Sequence, residues 1–229
     1  MRIGIIAAMD EEIEFILQHL IKQKRETIAE CLFINGQLHS REVILLKSGI
    51  GKVNAAMATT ILHERYKPDV IINTGSAGGY SSNLNVGDIV ISNEVVHHDV
   101  DATGFGYTYG QVPKMPETFV ASKSLIEKTS TVIRQMGIQY DIGMIATGDS
   151  FMDDSKRVSF VRKQFPNVIA VEMEAAAIAQ VCYQYGTPFV IIRALSDIAG
   201  KEATVSFDSF LKQAAKNASD IVRQMVKDI

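Results

Sequence analysis

The chain has 229 residues, of which 47% are apolar and 21% are charged. This length predicts one domain, or two small ones at most, and the apolar fraction suffices for a large core, which excludes a disordered chain. The net charge of −3 gives no electrostatic reason to expect nucleic acid or an anionic membrane as a partner. No stretch approaches the ~20 apolar residues of a membrane-spanning helix, and the apolar run at the N-terminus is too short for a signal peptide, so we expect a cytoplasmic protein.

Short apolar runs recur along the chain and carry Ile and Val at consecutive rather than alternate positions. Such runs are typical of strands that are buried on both faces. The predicted strands are Arg2–Met9, Glu42–Lys47, Val70–Asn73, Asp88–Ser92, Gly143–Ala146, Val168–Val171 and Phe189–Ala194.

The segments between these strands show apolar residues at helical spacing. The predicted helices are 11–21, Lys52–Tyr66, Thr118–Met136, Glu174–Tyr185 and Phe207–Lys227. Alternating strands and helices predict an α/β fold, with a central sheet between helices on both sides. No repeat or linker divides the chain, so we predict a single domain over residues 1–229.

One segment, Asp99–Glu117, interrupts the alternation. It contains three glycines and two prolines together with Phe105, Tyr107 and Tyr109. A long loop inside a compact domain is usually a lid, a binding loop or a partner contact. Because its aromatic rings are costly to leave in water, we expect the loop to cover a pocket of its own subunit or of a neighbour.

Ligands of α/β sheets collect at the carboxyl ends of the strands. Five predicted strand ends form a shortlist of site segments, which are 7–12, 73–79, 147–151, 172–174 and 193–197. Four of the five carry acidic residues, and the other carries a glycine-rich turn. A single acid at such a place is most simply a helix cap. Several acids at adjacent strand ends would repel one another around a shared space unless function keeps them there.

Two glycine-rich turns follow predicted strands but match no phosphate-binding motif. Gly75–Gly79 lacks the Gly-Lys-Ser/Thr of a P-loop, and Gly49–Asn54 has Asn54 where a dinucleotide fingerprint needs its third glycine. Their backbone N–H groups could still bind an oxygen-rich ligand.

Neither the histidines nor the cysteines predict a metal site. His97 and His98 are neighbours on a strand-like stretch, so their side chains point to opposite faces. Cys31 and Cys182 lie in apolar runs and are expected to be reduced core thiols. We therefore expect no metal and no organic cofactor.

Six motifs occur in an order that resembles a known family. They are residues 3–12, 47–53, 71–79, 86–90, 170–175 and 193–197, and the similarity runs from the first residue to the final helix. The sequence resembles the 5′-methylthioadenosine/S-adenosylhomocysteine nucleosidases. The resemblance implies the nucleoside phosphorylase-like fold, a three-layer α/β/α sandwich around a mixed twisted sheet. It also implies hydrolysis of the N-glycosidic bond of adenosine 5′-thioethers, and of 5′-deoxyadenosine, to adenine and the 5-substituted ribose, in methionine salvage.

The resemblance also implies roles for particular residues. Glu12 matches the general base that activates water, and Asp197 matches the general acid that contacts the purine. Glu174 matches the group that holds the ribose hydroxyls, while Ser76 and Arg193 match groups that place the water and a carboxylate.

Further positions match the substrate pocket of that family. These are Met9, Ile50, Ala77, Gly78, Phe151, Met152, Glu172, Met173, Ser196 and Phe207. Phe105, Tyr107 and Pro113 match positions that a neighbouring subunit lends to the pocket, which implies a homodimer. The chain departs from the usual pattern at Ala7, where glycine is common, and at Asp10 and Met152.

The chemistry of the reaction fits these roles independently. A ribosyl C–N bond breaks through an oxocarbenium-like state, in which the purine gains a proton and the attacking water loses one. Two carboxyl groups in opposite protonation states achieve this, as in inverting sugar hydrolysis. We therefore predict that Asp197 is held protonated while Glu12 stays ionised beside Arg193.

Two other functions compete with this interpretation. A nucleoside phosphorylase would use phosphate in place of water, but the acids at Met9–Glu12 would repel it, and Ile72–Ser76 carries no arginine to bind it. A non-catalytic nucleotide-binding module would explain the glycine turns but not the set of acids together with Arg193.

Overall fold

The computed structural model describes residues 1–81, 83–199 and 203–229, and side chains at 203–206 fall outside the description. Within this part of the chain the strands are β1 (Arg2–Ala7), β2 (Ile21–Ile28), β3 (Cys31–Leu38), β4 (Arg41–Lys47), β5 (Val70–Gly79), β6 (Ile89–His97), β7 (Phe119–Val120), β8 (Tyr140–Thr147), β9 (Val168–Glu172) and β10 (Phe189–Ile198). The helices are α1 (Asp10–Leu17), α2 (Lys52–Tyr66), α3 (Lys123–Met136), α4 (Ser155–Gln164), α5 (Ala175–Tyr185) and α6 (Ala203–Asp228), with a 3₁₀ turn at Thr103–Phe105.

The ten strands form one mixed sheet in the order β10-β6-β8-β9-β5-β1-β4-β3-β2, and β7 pairs with β6. Strand β10 also pairs in parallel with β5, so β5, β10, β6, β8 and β9 close into a ring. This closure depends on β5, whose first half pairs with β1 and whose last two residues, Gly78 and Gly79, pair with β9. The ring brings the ends of β5, β9 and β10 together.

The sheet is covered on both faces, which explains its consecutive apolar residues. Ile3 and Ile5 of β1 pack with α1, α3 and α6 in one cluster, whereas Ile6 packs with α2 and α5 in the other. Burial on both faces removes the polar alternation of a half-exposed strand. The predicted α/β fold class, with a mixed sheet between two helical layers, is confirmed.

The structure differs from the predicted elements both in their extent and in their number. Strands β5, β6 and β10 run past their predicted ends to Gly79, His97 and Ile198. Helix α1 ends at Leu17, and Ile21 begins the hairpin β2–β3. We did not predict this hairpin, because β2 is exposed and carries polar residues on both faces. Helix α4 was also missed, since it has little apolar character, although Asp154 caps it by accepting from the N–H of Arg157 at 2.8 Å. The helix predicted from Thr118 begins at Lys123, because the residues before it form β7.

Three further predictions concern the two cysteines, membrane-spanning helices and the number of domains. Cys31 and Cys182 are free and buried, as expected, and burial raises the pKa of both thiols. No helix in the described ranges is long and apolar enough to cross a membrane. We keep the single domain over residues 1–229 as a proposal, which the one continuous sheet supports.

Candidate active site

A cavity of about 330 Å³ opens where β1, β5, β9 and β10 end. All the pocket residues that we predicted on this chain's own subunit line the cavity, with the exception of Arg193. Three residues that we did not predict, Ala8, Ser150 and Val171, also line it. The predicted residues on its wall are Met9, Glu12, Ile50, Ser76, Ala77, Gly78, Phe151, Met152, Glu172, Met173, Glu174, Ser196, Asp197 and Phe207. Glu12 and Asp197, which lie 185 positions apart in the sequence, therefore face the same space.

Glu12 is buried in the first turn of α1, with 2% of its surface exposed. Its Oε2 accepts from the N–H groups of Ala8 at 2.9 Å and Met9 at 3.2 Å, the reach-back of a capping box. Its Oε1 accepts from the N–H of Ser76 at 2.9 Å and from Ser76 Oγ at 3.2 Å. Glu12 thus caps a helix and also faces the cavity, and four donors are available to its carboxylate form.

Gly75 allows this approach of Glu12 to β5. A Cβ at position 75 would lie 2.5 Å from Glu12 Oε1 and would also collide with the Arg193 guanidinium. Only glycine leaves room for the two charged groups. Residues Gly75–Gly79, which we predicted as a turn, instead form the last part of β5. The glycine at 75 gives room there to side chains from other elements.

Asp197 lies at the end of β10, just after a bulge in the pairing of that strand with β5. Its side chain is 4% exposed, and Oδ1 accepts from Ser196 Oγ at 2.8 Å. Burial raises the pKa of Asp197 above its usual range, and the hydrogen bond from Ser196 only partly opposes this. The protonated form, a hydrogen-bond donor, is therefore favoured here relative to an exposed aspartate.

Arg193 lies behind the cavity wall and is 1% exposed. Its Nη2 pairs with Glu172 and donates to Asn73 Oδ1 at 2.9 Å, and Glu174 Oε2 lies 3.4 Å away. Its closest acidic partners are therefore Glu172 and Glu174, while Glu12, which we expected beside it, acts on it through its charge. Asn73 had no predicted role, although a polar residue in an otherwise apolar strand is a usable signal.

Glu172 and Glu174 have different surroundings although they are two positions apart. Glu172 accepts from Thr147 Oγ1, from Arg193 and from the N–H groups of Glu174 and Ala175, so both of its oxygens are occupied by protein donors. Glu174 has one short contact, from the N–H of Gly51 to Oε1 at 2.9 Å. Burial and the neighbouring Glu172 raise the pKa of Glu174 to about 8.

The outer wall of the cavity is apolar and partly open. The ring of Phe151 meets that of Phe207 edge-on, with centroids 5.8 Å apart, and Ile50 is half exposed. Phe105, Tyr107 and Pro113 lie outside the wall of this chain's own cavity, and the Phe105 side chain is 87% exposed. This arrangement fits rings that meet another molecule.

His97 and His98 are both buried and have different neighbours. Among the described residues, no group of three His, Cys, Asp or Glu side chains is placed to hold a metal ion. His97 Nε2 lies 3.1 Å from Gln180 Oε1, and His98 packs against Gly148, where it leaves no space for a Cβ. Both rings are buried, which lowers their pKa.

Comparison with known proteins matches nearly the whole chain. A family model described as the phosphorylase superfamily matches residues 2–227. A protein of Oceanobacillus iheyensis named 5′-methylthioadenosine/S-adenosylhomocysteine nucleosidase is 59% identical over 229 residues, with all of both chains covered.

Solved structures of similarly named proteins superimpose closely. The nucleosidase of Neisseria meningitidis in complex with methylthio-immucillin-A has a TM-score of 0.98 and 46% identity, covering 100% of this chain and 99% of the other. The nucleosidase of Colwellia psychrerythraea in complex with adenine has a TM-score of 0.96 and 47% identity, covering 99% of this chain and 94% of the other.

Proposed function

The chain belongs to the 5′-methylthioadenosine/S-adenosylhomocysteine nucleosidases of the phosphorylase superfamily, and from this premise we propose that Glu12 and Asp197 carry out the family's reaction in its cavity. The protein is an enzyme that hydrolyses the N-glycosidic bond of 5′-methylthioadenosine and S-adenosylhomocysteine. The products are adenine and methylthioribose or S-ribosylhomocysteine, as methionine salvage requires. We extend the proposal to 5′-deoxyadenosine, which shares the adenine and ribose.

The leaving adenine takes a proton from Asp197. Purine nitrogen is a poor leaving group until it is protonated, and a positioned general acid is typically worth ~10²–10⁴-fold. The burial that raises the pKa of Asp197 supports this role, because it favours the protonated form that can donate. Ser196 Oγ donates to Oδ1 of Asp197 and thereby orients the carboxyl group.

The attacking water gives its proton to Glu12. Ser76 N–H and Oγ, together with the N–H groups of Ala8 and Met9, hold both carboxylate oxygens at the cavity wall. The fixed negative charge also favours the positive charge that develops on the ribose. Asp197 and Glu12 then act as acid and base in one cavity, the arrangement of inverting glycoside hydrolysis.

Glu174 holds the ribose hydroxyls, and Glu172 and Arg193 act behind it. Since protein donors occupy both oxygens of Glu172, its role is to hold the Arg193 guanidinium and the start of α5. Met9, Ile50 and Phe207 surround the ribose and alkylthio group, and Phe151 and Met152 lie against the adenine.

One observation carries the choice of water over phosphate. Among the described residues, no lysine or arginine lines the cavity, and Arg193 behind it is paired with two carboxylates. A phosphate dianion would meet Glu12 and Glu174 without a cation to balance its charge. The alternative of a phosphorylase is therefore less supported, and a non-catalytic module does not account for two carboxyl groups in unlike settings.

The test is release of adenine from 5′-methylthioadenosine in phosphate-free buffer and with added phosphate. We expect equal rates and free methylthioribose as the second product. Strict dependence on phosphate, with a sugar 1-phosphate as the product, would overturn the assignment to water.

Assembly and location remain proposals. A homodimer is supported by the exposed Phe105 and by the position of Tyr107 and Pro113 outside their own cavity. We also propose that the enzyme acts in the cytoplasm, without metal, cofactor or nucleic-acid partner. Gel filtration and cell fractionation test these points.

A further inference from the structure

We propose that Asp149 is a positioning residue for the substrate ribose, which acts through the turn at Gly51 to hold the Glu174 carboxylate. The proposal rests on the proposed role of Glu174 in binding the ribose hydroxyls. Asp149 follows β8 and is not among the residues that line the catalytic cavity.

Two consecutive backbone amides at the start of α2 each donate to a carboxylate. The N–H of Gly51 donates to Glu174 Oε1 at 2.9 Å, and the N–H of Lys52 donates to Asp149 Oδ1 at 2.8 Å. The two amides belong to adjacent peptide planes that meet at the Cα of Gly51, so φ (94°) and ψ (160°) of this glycine set their relative direction. Because glycine has a wide choice of φ and ψ, holding the second amide on Asp149 restricts the directions that the first can take and favours the one toward Glu174.

The turn is built for close contact with Asp149. Gly51 has a φ of 94°, in the region that favours glycine, and a Cβ there would lie 3.0 Å from Asp149 Oδ1. Any other residue would push the turn and the carboxylate apart. The glycine thus permits the approach that both hydrogen bonds need.

The backbone of Asp149 is itself held by Asp99, which forms an ion pair with Lys52. Its N–H donates to Asp99 Oδ2 at 3.0 Å, and Lys52 Nζ lies 2.5 Å from Asp99 Oδ1. Burial alone would raise the pKa of Asp99, but the hydrogen bonds from Lys52 and Asp149 lower it overall. Asp99, the first residue of the 99–117 loop, is thus ionised and links this loop to the turn at Gly51 that reaches Glu174.

Glu174 depends on the hydrogen bond from Gly51 more than Glu172 depends on any one of its donors. Of its two described contacts, the one from Gly51 is the shorter, since Arg193 Nη2 lies 3.4 Å away and is shared with Glu172. The Gly51 bond also lowers the pKa of Glu174, against burial and Glu172, which raise it. Loss of the bond would leave the carboxyl group less fixed and less often ionised, and both changes weaken its hold on the ribose hydroxyls.

The experiment compares Asp149→Ala with wild type on two substrates, 5′-methylthioadenosine and its 3′-deoxy analogue, which lacks a hydroxyl for Glu174 to hold. We expect Asp149→Ala to lower kcat/KM about fivefold on the first substrate, the usual scale of a lost cap, mostly through KM. On the 3′-deoxy analogue we expect a loss below about twofold, because the interaction that Asp149 supports is already reduced. Asp149→Asn keeps a carbonyl oxygen for the N–H of Lys52 and should stay within about twofold of wild type on both.

Asp69→Ala is the matched control. Asp69 also accepts from a backbone N–H, that of Arg2 at 2.6 Å, but it lies at the opposite end of the sheet. Gly51→Ala disturbs the same turn and leaves Asp149 in place, so it should give the same substrate-selective loss if Asp149→Ala does not fold.

Equal losses on the two substrates would overturn the proposal, since a purely structural role does not distinguish a ribose from its 3′-deoxy form. Kinetics of Asp149→Ala and Gly51→Ala that match those of Asp69→Ala would also overturn it. A wild-type enzyme that released no adenine from 5′-methylthioadenosine would instead overturn the proposed function. The two failures are therefore distinguishable.

Discussion

The carboxylate of Glu174 lies 3.4 Å from Nη2 of Arg193, and the same nitrogen pairs with Glu172. Glu12 adds a third negative charge to the field of this one guanidinium. A single cation cannot balance three buried carboxylates, so one of them is disfavoured as an anion. Glu174 is the carboxyl group that is disfavoured as an anion. Its burial and the neighbouring Glu172 raise its pKa to about 8.

The first prediction concerns stability against pH. The pKa of Glu174 is raised from 4.5 to about 8, so between these values the folded state holds a proton that the unfolded state releases. Its contribution to stability is complete below the unfolded pKa and is lost as the pH rises through about 8. We expect the free energy of unfolding of wild type to fall relative to Glu174→Gln, which cannot ionise, by on the order of a few kcal/mol across this range. Urea unfolding at a series of pH values measures the difference.

Glu11→Gln is the control for that series, because Glu11 is exposed and should leave the pH dependence of wild type unchanged. If wild type and Glu174→Gln gave parallel curves between pH 5 and pH 9, the proton on Glu174 in the folded state would be excluded.

The second prediction concerns the proposed base. Glu12→Gln keeps the size of the side chain and its hydrogen bonds to Oε1, but it cannot take a proton from water. We expect kcat to fall ~10²–10⁴-fold, with a much smaller change in the affinity for adenine. Steady-state adenine release and calorimetric titration with adenine measure the two effects.

The adjacent Glu11→Gln again provides the comparison, since it makes the same change of charge on the same helix turn outside the cavity. Turnover by Glu12→Gln within threefold of wild type would remove Glu12 from the role of base.

The sequence predicted the fold class because β1, β5 and β10 carry Ile and Val on both faces, a pattern that only a fully covered sheet explains. It did not predict β2, whose side chains are exposed, since its stability comes from pairing with β3 and from no apolar pattern of its own. Closure of the ring was also beyond reach, because it depends on long-range pairing of β5 with β10 along residues 71–79 and with β9 at its last two residues.

The pocket residues could be proposed from strand ends and motif order, but their partners could not. Glu12 looked like a helix cap in the sequence and is one, yet its second pair of donors comes from Ser76, 64 positions away. Arg193 was expected beside Glu12, whereas its pairing with Glu172 and Glu174 depends on how β9 meets β10 in space. Charge pairing in a buried network is set by tertiary geometry, which local sequence patterns do not encode.

The third prediction concerns the proposed acid. Asp197→Asn removes the proton donor but keeps an oxygen for Ser196 Oγ. We expect kcat for 5′-methylthioadenosine to fall ~10²–10⁴-fold. The loss should be much smaller for a 4-nitrophenyl glycoside of 5-methylthioribose, whose phenolate leaves without protonation. Comparing adenine release with nitrophenolate release measures the difference.

Asp141→Asn, at the start of β8 and away from the cavity wall, controls for the lost charge. An equal loss by Asp197→Asn on both leaving groups would show that Asp197 does not act by protonation.

The last prediction tests whether two subunits share each site. Glu12→Gln lacks the base but keeps its loop, whereas a variant with Phe105→Ala and Tyr107→Ala keeps the base but lacks the rings proposed for the neighbour's pocket. In a mixed dimer, one site then carries both defects and the other carries neither. Co-refolding equal amounts should give about a quarter of wild-type activity, because half of the dimers are mixed and each has one intact site. Refolding each variant alone gives the two baseline activities. A mixture no more active than their average would mean that each subunit completes its own pocket. The 87% exposed Phe105 would then serve another contact.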